Sequence, residues 1–281
     1  MTSKNSIGFV YNSILPDAIQ LANTLMDSAR RYYTCWISPV ETLNANSEHI
    51  ESASIIVTIG GDGTILRVAR IASPNNIAIL GINMGRIGFM TELSVPEAQD
   101  RLLSYLDGSP RIEKRMMLQA TFKKQQEAQS TTMHALNDVV INRASTSKLL
   151  DINTQINDTH VATYRADGII VSTGTGSTSY ALAAGGPVIY PESNMILVQP
   201  LAAHISFSKS LIISGSDVIN LRVQDKLQST ISVDITSNIL DVDSIVYISR
   251  SPHSTLFLRH GDNSAFYGNL ASKLSGNKSE I

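Results

Sequence analysis

The 281 residues carry 22 basic and 24 acidic side chains for a formal net charge of −2, so no global positive field draws nucleic acid or an anionic membrane. A hydrophobic share of 43% with 16% charged residues excludes a disordered chain, and the length predicts two domains. A single cysteine, Cys35, excludes an internal disulfide and a cysteine-rich zinc site, and reads as a packed thiol.

The N-terminal residues run straight into the short apolar stretch Ile7 to Tyr11, which lacks the length and flanks of a signal peptide. No apolar run reaches membrane-spanning length, so a cytoplasmic protein is expected. Residues 6–11 read as a strand, Asp17 to Tyr33 as an amphipathic helix, and Thr34 to Ile37 as a second strand. Ser54 to Ile59 is nearly all apolar or β-branched and reads as a buried strand. Ile65, Leu66, Val68, Ala69 and Ile71 then recur at helical spacing and predict a helix from 64 to about 72. Ile77 to Asn83 is another apolar strand, Pro96 to Tyr105 a helix, and Gly108-Ser109-Pro110 a closing turn. Strands alternating with helices predict a parallel sheet covered on both faces, with ligand outside the carboxyl ends of the strands.

Gly60-Gly61-Asp62-Gly63-Thr64 lies at such an end. Its glycines are expected to reach backbone angles closed to other residues and to let the main chain approach a ligand, while the new helix aims unpaired N–H groups at a phosphate. Gly60, Gly61, Gly63 and Thr64 would form that phosphate loop. Asp62 is the anomaly, because a carboxylate repels phosphate unless it accepts a proton or holds a metal ion. A tight βα turn with a capping aspartate accounts for the same residues. It is neither a P-loop, since no Lys-Ser or Lys-Thr pair follows, nor the dinucleotide fingerprint, since the third glycine is missing.

From Arg111 the grammar changes to alternation, as in Leu150 to Asn157, Ile219 to Val223 and Ile231 to Asp234, with Asn157-Asp158 as a turn and His160 to Tyr164 returning. Val246 to Ile248 is a further short strand. A mostly antiparallel β region follows from this, and Ala265 to Leu274 reads as a helix returning to the first domain. Domains are expected at 1–110, 111–255 and, as a C-terminal segment packing on the first, 256–281. Within the second region the apolar strand ending at Val171 leads into Ser172-Thr173-Gly174-Thr175-Gly176-Ser177-Thr178-Ser179-Tyr180, rich in donors and poor in bulk, as a nucleotide's sugar and phosphates require. Taken alone, the segment reads better as a serine- and threonine-rich loop capping a helix. Asn137 and Asp138 could meet a base or ribose edge, or form a turn. Arg165 sits at a strand end, Lys148 in a polar loop, Tyr180 could stack on a base or be core, and His204 and Arg115 are taken as structural. The six histidines show no metal-site spacing.

Gly60 to Thr64, Gly81-Ile82-Asn83-Met84-Gly85-Arg86-Ile87-Gly88-Phe89, Glu113 to Leu118, Leu136-Asn137-Asp138 and Asp167-Gly168 through Tyr180 resemble, in order and spacing, the motifs of the NAD kinase family. The first motif alone also occurs in lipid kinases, and the later ones discriminate. The resemblance implies a Rossmann-like α/β domain with a C-terminal β-sandwich-like domain. It implies transfer of the ATP γ-phosphoryl to the 2′-hydroxyl of the adenosine ribose of NAD, with Asp62 as proton acceptor. It places Asp62, Gly63, Asn137, Asp138, Lys148, Arg165, Asp167 and the run Thr178, Ser179, Tyr180, Ala181, Leu182 and Ala183 around NAD. It further implies Mg²⁺ accompanying ATP and a homodimer or homotetramer. A related lipid kinase or a non-catalytic dinucleotide-binding regulator would share parts of the pattern. Against the family pattern, Gly174 stands for proline, so a more mobile loop is expected. Ile87 and Met90 stand for leucine, Asp138 for glutamate, and Thr236 for a glutamine whose contact is not carried over.

Overall fold

The computed structural model describes residues 6–85, 88–108, 110–144, 148–204, 208–224, 227–260, 266–268 and 270–271. Arg86, Ile87, Ser109, Ala265 and residues 272–281 therefore lie outside the described residues. The chain divides into two compact units, residues 1–114 with 255–281, and residues 115–254.

The first unit begins with β1 (Ser6–Tyr11), α1 (Ala18–Ala29), β2 (Thr34–Pro39), the short α2 (Glu48–Ser52), β3 (Ala53–Gly60), α3 (Asp62–Ala72) and β4 (Ala78–Asn83). The two-residue β5 (Leu93–Ser94) and α4 (Val95–Asp107) complete it. Helix α1 ends earlier than predicted, at Ala29, and a turn follows in which the Tyr32 amide donates to the Ala29 carbonyl three residues back at 2.9 Å. Helix α4 starts on a capping arrangement, with the Ser94 amide donating to Glu97 at 2.8 Å and Pro96 in the first turn. Its hydrogen bonds from Ser94 hold the Glu97 carboxyl below its usual range.

Strands β2, β1, β3 and β4 form a parallel sheet in that order. Leu21, Leu25 and Met26 of α1 and Leu102 and Tyr105 of α4 pack with Phe9, Val57, Ile59 and Leu80. Helix α3 takes the opposite face, where Ile65 reaches so close to Gly81 that a Cβ there would come within 2.8 Å of its side chain. Burial on both faces is why β3 reads as an unbroken apolar run rather than an alternating one.

The second unit is mostly β. It takes up β6 (Arg111–Lys123), β7 (Ser130–Ala135), β8 (Asp138–Arg143), β9 (Leu150–Ile156), β10 (Thr159–Ala166) and β11 (Gly168–Thr173). The one-turn α5 (Tyr180–Ala183) is followed by β12 (Met195–Leu201), β13 (Leu211–Ser214), β14 (Ile219–Val223), β15 (Ser229–Val233), β16 (Thr236–Leu240) and β17 (Ile245–Arg259). One sheet is antiparallel throughout, in the order β13-β12-β11-β8-β15-β16. Facing it are β10, β9, β14 and the first part of β17, and the two layers enclose Val139, Ile141, Ile152, Tyr164, Ile169, Val171, Ile196, Leu221 and Ile248. Val140, Ile170 and Leu197 point to the other face of the six-stranded sheet and pack with Ala181 of α5.

The mixed α/β sheet and the antiparallel β unit agree with the predicted fold class. Asn157 and Asp158, both at positive φ (49° and 61°), form the predicted two-residue hairpin turn between β9 and β10. The predicted short strand at Val246 proves to be the start of a long one. The end of β17 pairs in parallel with β4 of the first unit's sheet, Leu256 opposite Ala78 and Phe257 opposite Ile79. In the predicted C-terminal helix, residues 266–268 and 270–271 are helical. No helix among the described residues is long and apolar enough to cross a membrane.

Candidate functional site

The β3 to α3 turn stands at the carboxyl end of the parallel sheet, where the chain order doubles back from β1 and β2 to β3 and β4. Helix α3 begins at Asp62, earlier than predicted, with the Thr64 amide returning to the Gly61 carbonyl at 2.9 Å. The expectation of special backbone angles at the glycines is corrected. Gly61 is extended at φ −121° and ψ −169°, and among the described glycines only Gly185 is at positive φ. What these glycines provide is access, since a Cβ on Gly61 or Gly63 would meet nothing within 4 Å. Gly60 differs, because a Cβ there would strike the Thr64 hydroxyl at 2.3 Å.

Asp62 is half-buried and its carboxylate is held from the loop after β4. The Phe89 amide donates to Oδ2 at 2.9 Å and the Met90 amide to Oδ1 at 3.2 Å. Each oxygen keeps a second lone pair, so the group can still accept a hydrogen bond from a hydroxyl. A Cβ on Gly88 would come within 2.1 Å of Oδ1, so this second glycine motif exists to let the loop close over the carboxylate. Asn83 folds the start of that loop with an Asx turn, its Oδ1 accepting from the Gly85 amide at 3.2 Å.

In the second unit, the chain brings Asn137 and Asp138 against the serine- and threonine-rich loop. The Thr173 hydroxyl donates to the Leu136 carbonyl at 2.6 Å, the Thr173 amide to the Asn137 carbonyl at 2.9 Å, and the Gly176 amide to the Thr173 hydroxyl at 3.1 Å. Gly176 approaches so closely that a Cβ would lie 2.2 Å from the Asn137 carbonyl. The Ser177 hydroxyl donates to the Gly174 carbonyl at 2.6 Å and accepts from the Ile189 amide at 2.9 Å. Gly174 answers to crowding rather than to the expected looseness, since a Cβ there would meet the Tyr190 carbonyl at 2.6 Å. Thr178 is half-buried, Ser179, Tyr180 and Ala183 are exposed, Leu182 is intermediate and Ala181 is core. Tyr180 is thus a surface ring rather than core.

Sequence reasoning missed Asp234. It sits at φ 49° in the turn between β15 and β16, and its carboxylate accepts from the amides of Leu136 at 2.8 Å, Asn137 at 2.8 Å and Asp138 at 3.1 Å. A left-handed aspartate in a hairpin turn is common, and only the tertiary pairing reveals what it caps. Burial, and then the charge of Asp234, push the Asp138 carboxyl up to about 7. The side-chain oxygen of Asn137, 7% exposed as a residue, and the hydroxyl of Thr175 are buried without a hydrogen-bond partner among the described residues. Buried acceptors without partners are rare, and one beside a glycine-rich loop fits a site that a polar ligand completes.

Lys148, Arg165 and Asp167 are not part of this cluster. In the ladder between β8 and β11, Asp138 lies opposite Ser172 and Asn142 opposite Gly168. Asp167 precedes Gly168 at the far end, about 20 Å of extended strand from Thr173. There Asp167 pairs with Arg143 at 2.9 Å, and Lys148 and Arg165 are exposed. His204 is exposed and its amide returns to the Arg165 carbonyl, while Arg115 is buried in β6. Among the described residues no group of three or more His, Cys, Asp or Glu is placed to hold a metal ion.

Residues 12–109 match the family described as ATP-NAD kinase N-terminal domain, and residues 136–260 the ATP-NAD kinase C-terminal domain. The chain is 35% identical over 280 residues to an NAD kinase of Dehalococcoides mccartyi, covering 98% of each chain. It is 38% identical over 231 residues to one from Caldanaerobacter subterraneus, covering 82% of this chain and 81% of the other. Its fold is that of a yeast NADH kinase solved with NADH, at a TM-score of 0.84 and 20% identity over 100% of this chain and 90% of the other. An Archaeoglobus fulgidus NAD kinase solved with ATP gives 0.76 and 24% identity over 95% and 99%.

Proposed function

The chain belongs to the NAD kinase family, whose activity is the ATP-dependent phosphorylation of NAD, and from that premise we propose that Asp62 accepts the proton of the hydroxyl being phosphorylated. The acceptor is the 2′-hydroxyl of the adenosine ribose, and the phosphoryl donor is the γ-phosphate of ATP. As the P–O bond to ADP breaks, the ribose oxygen bonds to phosphorus and its proton passes to Asp62. Such a reaction depends mainly on alignment and on neutralising charge. The observation that carries the reading is the Asp62 carboxylate, pinned by the Phe89 and Met90 amides with a lone pair left on each oxygen and open glycines beside it.

NAD is bound by Asp62, Gly63, Asn137, Asp138 and residues 178–183, a reading supported by the buried, partnerless Asn137 oxygen beside the 173–178 loop. The phosphates of ATP meet Gly60, Gly61, Gly63 and Thr64 at the start of α3. Mg²⁺ accompanying ATP would be held mostly by phosphate oxygens and water and would neutralise phosphate charge. Lys148, Arg165 and Asp167, at the other end of the β8 to β11 ladder, support a homo-oligomer in which those residues serve a second copy's NAD. The protein works in the cytoplasm.

The test is Asp62→Asn. Its NAD affinity stays within about threefold of the parent, while NADP formation with ATP and Mg²⁺ falls by ~10²–10⁴-fold. Near-normal turnover would remove Asp62 from the chemistry.

A further inference from the structure

The direction of the Asp62 carboxylate depends on two consecutive amides, and those amides belong to a loop rather than to a strand. A loop keeps its place only through what fastens it. On one side, the Glu92 amide donates to the Gly81 carbonyl of β4 at 2.8 Å. On the other stands Arg259, the last residue of β17 and 7% exposed. Its Nη1 donates to the Met90 carbonyl at 3.0 Å and to Glu92 Oε2 at 3.1 Å, and its Nη2 donates to Glu113 Oε1 at 3.3 Å. The guanidinium carbon lies 4.9 Å from the centre of the Phe257 ring. Glu92 Oε1 is fixed in turn by the Tyr105 hydroxyl and the His260 amide, both at 2.8 Å.

A buried arginine between two carboxylates is a poor way to gain stability alone, since an apolar side chain of similar volume often does as well. What an apolar side chain cannot do is hold a carbonyl. Met90 contributes its carbonyl to Arg259 and its amide to Asp62, so the two bonds meet at one residue. We propose that Arg259 is a positioning residue for phosphoryl transfer, fixing the Met90 backbone so that the Phe89 and Met90 amides aim the Asp62 carboxylate at the hydroxyl. The inference rests on the reading of Asp62 as proton acceptor. The planar fork matters here, because a lysine reaches one of the three acceptors as a point charge.

The test is a double-mutant cycle on the full-length chain, with Arg259→Lys and Arg259→Met each made alone and in the Asp62→Asn background. Arg259→Met is expected to lower kcat about tenfold or more, with KM for NAD and ATP within about threefold of the parent, because a misaimed group costs rate rather than binding. Arg259→Lys is expected to fall between. In the Asp62→Asn background either change should lower the residual rate by less than about twofold, since the carboxylate they aim is gone. A loss of equal size in both backgrounds overturns the proposal, as does a rise in KM at constant kcat or a wild-type kcat in Arg259→Lys. Should circular dichroism show Arg259→Met unfolded, the lysine cycle decides by the same criteria. Near-normal turnover of Asp62→Asn sinks the reading of Asp62 itself, whereas an additive cycle on a crippled Asp62→Asn enzyme sinks only Arg259.

Discussion

Asp62 and Asp138 each open an element, α3 and β8, yet their surroundings differ. Asp62 takes two amide donors and stays half-buried, whereas Asp138 is 6% exposed and faces Asp234, whose own oxygens are already occupied by three amides. A carboxyl that holds its proton more tightly folded than unfolded favours the native state at low pH. That contribution is complete below the ordinary aspartate value of 3.8 and is lost as pH rises through about 7. Asp138→Asn cannot ionise, so its melting temperature should lack the decline that the parent shows across this window. Calorimetry at several pH values checks this, and parallel curves for the two proteins would contradict it. The orientation of Asn137 belongs to the same scale, since Asp234 holds its backbone amide while its buried side-chain oxygen has no hydrogen-bond partner among the described residues.

At the scale of elements, the loop between β11 and α5 is short of bulk and dense in internal bonds. Ser177 is its keystone, fully buried and joined to Gly174 and to Ile189. Ser177→Ala leaves the Ile189 amide and the Gly174 carbonyl without that partner, which should cost about 1–3 kcal/mol in chemical denaturation. The KM for NAD should rise with it, because Thr178 to Ala183 follow directly. An unchanged denaturation midpoint with unchanged KM would show that the loop holds its shape without this hydroxyl. The turn into α3 works differently. It is open at Gly61 and Gly63, and its rigidity comes from the neighbouring loop through Asp62.

For the whole molecule, β6 and β17 are the two strands by which the chain passes from one unit to the other, and β17 carries its end into the first unit's sheet. The separation of Asp167 from Thr173 along β11 makes a further prediction. If the proposed sharing of sites between copies holds, Asp62→Asn and Arg165→Ala proteins, each weakly active, should regain activity when unfolded together and reassembled, since a mixed oligomer would then hold a site that combines both intact residues. No recovery above the separate proteins would mean that each copy supplies its whole site. Much of this architecture was legible in the sequence. Runs such as Ile55 to Ile59 and the spacing of Leu66, Val68 and Ala69 report burial directly, because solvent exposure selects residue type at each position. The turn at Asn157 and Asp158 was legible as well, because these two residue types favour turns. The long β17, the Asp234 cap and the Arg259 clamp were not, since each depends on partners distant in sequence, and periodicity carries no record of which distant groups will meet. The sequence by itself therefore determined which segments become strands and helices and which turn carries the carboxylate. Only the tertiary structure decided where that carboxylate points, because its direction is set by hydrogen bonds that close across loops.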